Sequence, residues 1–389
     1  MRRWFLILWS LVILGATLIP LEPSEEVSPI FCVLCGYGAA ADGILNAALF
    51  LPLGAALNAA SWRPLWALAL GTLLSLGVET AQFVIPGRDP SLADVLFNTL
   101  GTALGIALAR SAFVWWRPVR RAADAFSIGG SLGATVVLAL TGILLAPSFP
   151  EDVYYGSWTP RFGHLEWYGG RVLEASLDGL AIPTGPIIDS AGVRQRLLAE
   201  TLIRVLGRAG PRSSGLAPLF TVHYAQGEIL LLGIDGDDFI YRYRTRAITW
   251  GLIGPEIRVR KALRGIAWRN PLSVIVRKAG SGFCVRINAV ERCGLGYTIG
   301  IGWKLLLGNQ PVPLELHPML NVVWLAVLFF ASGRWAQSRL AFATAATLGG
   351  GGLLVLPIFT GLLATPASEL LGALAGFLMG WASRARFGL

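Results

Sequence analysis

The run Asp42-Gly-Ile-Leu-Asn46-Ala-Ala-Leu-Phe50-Leu-Pro52-Leu-Gly54-Ala-Ala-Leu-Asn58 decides what kind of protein this is. It is apolar apart from a few polar residues, and Asp42, Asn46, Phe50 and Gly54 recur every four residues, the spacing that puts side chains on one face of a helix. A helix rising 1.5 Å per residue needs about 20 apolar residues to cross a hydrocarbon layer about 30 Å thick. Residues 43–60 nearly meet that length. Working outward, comparable stretches lie at 4–21, 65–85, 92–115 and 127–147, and again at 318–333, 340–363 and 368–383, eight in all. The chain of 389 residues is 54% hydrophobic and 14% charged, against about 25% charged in a soluble protein. Its mean hydropathy is +0.61. No larger core absorbs that surplus, so it faces lipid.

The basic residues order the spans. Arg2 and Arg3, Arg63, Arg117, Arg120 and Arg121, Arg334 and Arg339, and Arg384 and Arg386 all fall on one side if the spans alternate. Glu22, Glu25, Glu26, Asp89 and Glu369 fall on the other, with Arg88 the exception. The positive-inside rule then makes both termini cytoplasmic and residues 149–316 extracytoplasmic, in a multi-pass protein of the cell membrane. The first span has a basic start but no small-x-small cleavage site before Pro20, so it reads as a retained span. A net charge of +9 shared among loops and one domain reports orientation, and nucleic acid is excluded as a partner. The expected organisation is a four-helix module over 1–125, a fifth helix over 126–148, an extracytoplasmic β-domain over 149–316 and about three helices over 317–389.

Polar residues converge at one depth. Asp42 and Asn46 open the second span, Ser75, Glu79 and Gln82 close the third, Asp94 and Asn98 open the fourth, and Arg88 lies in the loop between. Ionisable residues in spans are costly and mark pockets or pathways. The structural alternative is hydrogen-bond glue between helices, with Asp42 and Asp94 as N-caps and Gly101-x-x-x-Gly105 as a close-packing motif. The ordered set Asp42-x-x-x-Asn46-x-x-x-Phe50-x-Pro52-x-Gly54, Glu79-x-x-Gln82, Pro86-x-Arg88 and Asp94-x-x-x-Asn98-x-x-Gly101-x-x-x-Gly105 resembles the VanZ-like family over residues 40–110. That family is named for a protein associated with teicoplanin resistance. The resemblance implies a cell-envelope context and no particular reaction.

Between 150 and 315 the pattern changes to short strand-like runs at 171–177, 199–207, 218–224, 228–233, 239–246, 272–278, 283–287, 290–293 and 303–307, punctuated by Gly, Pro and Asp. Many short strands argue for an all-β sandwich. The order of Thr201–Arg208, Pro218–Val222, Ile229–Gly233, Phe239–Arg246, Phe283–Asn288 and Trp303–Gly308 resembles a LamG, concanavalin A-like jelly roll. The resemblance implies carbohydrate or protein binding. Glucanases of that fold carry an E-x-D-x-E strand, which is absent here. Asp235-Gly-Asp237-Asp238 admits a solvated turn or a calcium site. His164, His223 and His317 show no metal-ligand spacing, and no metal or cofactor is expected. Arg242, Arg244 and Arg246 alternate and so share a strand face, with Arg258, Arg260, Lys261 and Arg264 soon after. Such a row suits phosphate or carboxylate, as in an anionic envelope polymer, or it is a solvated face.

The cysteines form two pairs. Residues 284–293 read as a hairpin turning at Asn288-Ala289, which sets Ile287 opposite Val290, Arg286 opposite Glu291 and Cys284 opposite Cys293, a disulfide in an oxidising compartment. Cys32-x-x-Cys35 admits a structural pair or a redox pair. Three functions are open at this point. The first is an envelope protein that binds glycan or anionic polymer through its β-domain and a lipid-linked headgroup in the pocket of Asp42, Asn46, Glu79, Gln82, Arg88, Asp94 and Asn98. The second is a membrane enzyme on a lipid-linked glycan precursor, with pocket carboxylates as acid and base. The third is a thiol oxidoreductase using Cys32 and Cys35.

Overall fold

A computed structural model describes residues 2–20, 31–162, 165–199, 202–308 and 312–385. Glu22, Glu25, Glu26, His164 and Arg386, used in the sequence reading, lie outside these described residues. The long helices are α1 (Arg2–Leu18), α2 (Ala39–Ala59), α3 (Pro64–Gln82), α4 (Leu92–Arg110), α5 (Arg120–Leu145), α6 (His317–Trp335), α7 (Arg339–Thr360) and α8 (Ala367–Ala385). Six of them, α2 to α7, are long and apolar enough to cross a bilayer. The apolar part of α1, Trp4–Leu18, is shorter, and α8 carries Glu369 in its first turn and Arg384 in its last.

The chain divides into two compact units: Met1–Ile128 with Trp250–Ile253 and Trp335–Phe342, and Gly129–Thr249 with Gly254–Arg334 and Ala343–Leu389. In the first, local chemistry sets the helix ends. Pro64 starts α3, where a missing N–H costs nothing. Ser91 caps α4, its Oγ accepting from Ala93 N at 3.2 Å. Gly38 turns into α2 with φ +81°, and Gly251 O accepts from Ala40 N and Ala41 N at 2.8 and 3.2 Å. The core is Ile13, Phe50, Leu53, Leu57, Ala67 and Ile106. Glycines set the distance between α2 and α4: a Cβ on Gly54 would overlap the Thr102 carbonyl, one on Gly101 that of Ala47, and one on Gly105 that of Leu51. Small residues permit such close backbone approach in lipid, where the hydrophobic effect gives helices no reason to associate.

Among the described residues the second unit holds twelve strands: β1 (Tyr155–Trp158), β2 (Arg171–Leu177), β3 (Leu180–Ala181), β4 (Gly185–Pro186), β5 (Leu202–Arg208), β6 (Leu216–Tyr224), β7 (Gly227–Asp235), β8 (Asp238–Tyr243), β9 (Ile257–Val259), β10 (Pro271–Ala279), β11 (Gly282–Ile287) and β12 (Val290–Leu295). They form two six-stranded sheets, ordered β4-β1-β6-β7-β8-β9 and β12-β11-β10-β5-β2-β3, and every pairing is antiparallel. Tyr241 of β8 meets Phe283 of β11 edge-on at 5.2 Å, joining one sheet to the other. In β7 every residue from Ile229 to Ile234 is buried, as in a central strand covered on both faces.

Three expectations are corrected here. The domain is not wholly β: Ser190–Leu198 is a helix capped by Asp189, whose carboxylate accepts from Gly192 N. The expected strand at 303–307 is a single helical turn, Lys304–Leu307, because a five-residue apolar run has no period by which to tell strand from helix. Finally, the strand expected to carry Arg242, Arg244 and Arg246 stops at Tyr243. Arg244 N still donates to Ile229 O of β7 at 2.8 Å, but the chain then turns to the segment leaving α5, with Ser148 N donating to Arg244 O at 3.0 Å and Arg246 N to Ala146 O at 2.9 Å. Arg246 then opens a short helix, so the three arginines share no strand face.

Candidate functional site

The polar residues of the first unit gather at one end of three helices. Asp42 lies in the first turn of α2, Glu79 and Gln82 in the last turn of α3, and Asp94 in the first turn of α4. They run from rim to interior. Asp42 is exposed, Asn46 and Asp94 are half-buried, and Asn98 and Ser75 are buried. Asn46 donates to the Asp94 carboxylate, and Asp42 is close enough to act on Asp94 electrostatically. One turn deeper, Asn98 Nδ2 donates to Ser75 Oγ at 2.9 Å. Asn98 Oδ1, fully buried, has no hydrogen-bond partner among the described residues.

The other three residues hold backbone. Glu79 Oε2 accepts from Ser91 N at 2.8 Å, tying the end of α3 to the cap of α4. Gln82 Nε2 donates to Thr17 O at 3.1 Å. Arg88 donates from Nε to Ile19 O at 3.0 Å and from Nη2 to Ala16 O at 2.9 Å, so its guanidinium covers the open carbonyls at the end of α1. The sequence therefore names seven residues of one neighbourhood. The geometry sorts them into a carboxylate–amide track (Asp42, Asn46, Asp94, Asn98) and a frame (Glu79, Gln82, Arg88). Ser91 and Thr17 complete that frame and were not foreseen, because a backbone partner leaves no mark in side-chain spacing.

Residues 6–115 match the VanZ/LLP1 family model. The match covers the whole track and frame. No curated protein and no solved structure matches the chain.

In the β-domain, the charges expected to face a ligand are largely engaged with one another. Arg242 grips Glu228 with two hydrogen bonds of 2.8 Å. Arg244 lies over the Tyr224 ring at 5.5 Å and reaches Thr249 Oγ1 at 3.4 Å. Arg258 meets Asp235, Glu256 and Asp238 at 2.7, 2.9 and 3.2 Å, and Arg212 meets Asp237 at 2.7 Å. The acidic turn 235–238 is thus matched by arginines. Burial works against the Arg258 charge, but Glu256 and Asp235 outweigh it and raise its pKa above the usual arginine value.

Cys284 and Cys293 are joined, with Cα atoms 4.0 Å apart. The hairpin turns at Asn288, φ +51°, with Ile287 opposite Val290 and Arg286 opposite Glu291. Arg286 and Glu291 form an ion pair at 3.1 Å. The cysteines face each other at an irregularity in the ladder. A bulge follows Val285↔Arg292, so that Phe283 faces Leu295, and Gly294 takes φ +73° within it. Cys32 and Cys35 are also bonded, ahead of α2. His223 Nε2 lies 3.0 Å from Ser157 Oγ and stacks on Tyr155. His317 packs edge-on against Trp303.

Proposed function

We propose that this protein is a multi-pass envelope membrane protein whose VanZ-like module binds a donor-rich headgroup, hydroxyl- or ammonium-bearing, of an envelope lipid. One observation carries this reading. Asp42 and Asp94 lie within electrostatic range of each other in the first turns of α2 and α4, with Asn46 bound to Asp94 and no cation paired with either carboxylate among the described residues. The partnerless Asn98 Oδ1 lies one turn below. Structural glue satisfies its own polar atoms, as Gln82 and Arg88 do. Surplus acceptors in a low-dielectric setting favour a ligand that brings hydrogen-bond donors. Glycan headgroups on lipid carriers have that chemistry, and glycopeptide susceptibility is the envelope property that the family resemblance brings with it.

The remaining elements are consistent with this reading. All eight long helices serve as spans, the basic loops keep both termini in the cytoplasm, and the track and β-domain face outward. The β-domain acts as a glycan-binding jelly roll. The experiment compares teicoplanin susceptibility in bacteria producing wild-type protein, Asp94→Asn and Asn98→Leu at equal membrane levels. Loss of the wild-type effect in both variants is expected. Wild-type behaviour of both would return the track to interhelical packing.

A further inference from the structure

The seven residues Phe31-Cys-Val-Leu-Cys-Gly-Tyr37, just ahead of α2, form an exposed apolar knob. They carry no charge, and none lies anywhere between Glu26 and Asp42. Cys32 and Cys35 are joined with Cα atoms 5.7 Å apart, which bends the chain back and leaves Val33 and Leu34 at the tip. Phe31 is 83% exposed, Leu34 61%, Tyr37 58% and Val33 41%. The disulfide fixes the turn without any core to bury these side chains. A contiguous apolar surface of this kind marks a site of contact with a membrane or another protein.

The helix ends of the first unit give the depth at which the knob lies. α1 and α3 finish at the end where α2 and α4 begin. Gln82 to Thr17 O, Arg88 to Ile19 O, Glu79 to Ser91 N and Asn46 to Asp94 tie the four together there. Exposed apolar residues collect at that end: Ile19, Phe83, Val84 and Trp250, the last beside the Gly251 that caps α2. Another group, Trp62, Trp66, Phe113 and Trp116, is exposed at the opposite end, around the α2–α3 turn and beyond α4. The 21 residues of α2 hold the two groups about 30 Å apart at 1.5 Å per residue, the thickness of a hydrocarbon core. Aromatic residues gathered in two belts at that separation mark the two membrane–water interfaces. Phe31 and Tyr37 belong to the belt at the start of α2.

The backbone sets a limit on how far the knob sinks. An irregular loop exposed to lipid cannot enter the hydrocarbon, because its N–H and C=O groups would lose their water there. Asp42, Arg88 and Asp89, at the same end, also belong among headgroups. We propose that the disulfide-closed loop Phe31–Tyr37 lies in the headgroup layer of the leaflet where α2 begins, with its apolar side chains turned to the acyl boundary. Asp42 follows Tyr37 by five residues, so the mouth of the carboxylate–amide track opens at the lipid surface. On the function proposed above, on which this last step rests, that is where a lipid-borne ligand is met.

The test places a fluorescent amino acid in the full chain in place of Leu34, and separately in place of Val84 as a second point in the same belt, with the protein reconstituted in phosphatidylcholine vesicles. Quenching is read with acrylamide in the water and with nitroxide-labelled phosphatidylcholine carrying its label on the headgroup, at an upper acyl carbon or near the acyl end. Position 34 should lose most of the acrylamide quenching shown by the free amino acid. Headgroup and upper-acyl labels should quench it several-fold more than the acyl-end label, as they should at position 84. Full acrylamide access without nitroxide quenching would place the loop in water and overturn the proposal. Shielding from both kinds of quencher would assign the loop to a protein partner and overturn it equally. Strongest quenching by the acyl-end label would put the loop in the hydrocarbon and refute the headgroup depth. None of these failures touches the ligand reading of the track, which stands or falls on Asp94→Asn and Asn98→Leu.

Discussion

Replacing Arg258 by methionine should unfold the outer edge of the first sheet before anything else. The side chain is 17% exposed and meets Asp235, Glu256 and Asp238, which are 27%, 10% and 16% exposed. At an effective dielectric near 20, each such contact is worth about 4 kcal/mol of attraction at 4 Å. Desolvating four charged groups offsets most of that sum. The loss on breaking the cluster is set by what remains, three carboxylates together with no cation, which costs about 3–5 kcal/mol when a buried partner is removed. For a domain of this size that corresponds to a fall of about 6–20 °C in melting temperature. Hydrogen exchange on the full chain in detergent localises the effect: amides of β7, β8 and β9 should lose protection while those of β10 and β11 keep it. The comparison is Arg260→Met, whose pair with Glu315 is exposed at both ends, 52% and 65%, and should cost under about 1 kcal/mol. Equal exchange in the two variants would refute the claim that Arg258 is a structural hub.

Gly101→Ala should push α4 off α2, because the new Cβ would meet backbone at Ala47 and not a side chain able to move. A loss of about 1–3 kcal/mol is expected, read as a lower melting temperature in detergent, whereas Gly77→Ala, with open space around it, should be neutral. A reporter active only outside the cytoplasm should work when fused at residue 215 and be silent at the C-terminus. The reverse would invert the proposed orientation.

What the sequence makes legible depends on how local the determining physics is. Long apolar helices are read from composition alone, so the eight expected stretches coincide with long helices, six of them long and apolar enough to cross a bilayer, and α3 begins at the proline that sequence rules put there. The hairpin at Asn288 is legible because turn and register are set within ten residues, yet its bulge is not: Gly294 offers φ > 0, but nothing local says the chain uses it. The arginine row fails for a related reason. Alternation at 242, 244 and 246 is a valid strand pattern, but the strand ends where Ala146 and Ser148, a hundred residues earlier, supply other hydrogen bonds. Charge partners are longer-range still. Asp235, Asp238 and Arg258 each read as free surface charges, and only the pairing of β7, β8 and β9 brings them together. Glu369 is the reverse case. Its position beside α8 made it look like a loop charge reporting orientation, whereas it is buried in the first turn of an apolar helix. A lone carboxylate there is the same signal that drew attention to Asp42 and Asp94, and here it ties the start of α8 to Thr298 and Asn321.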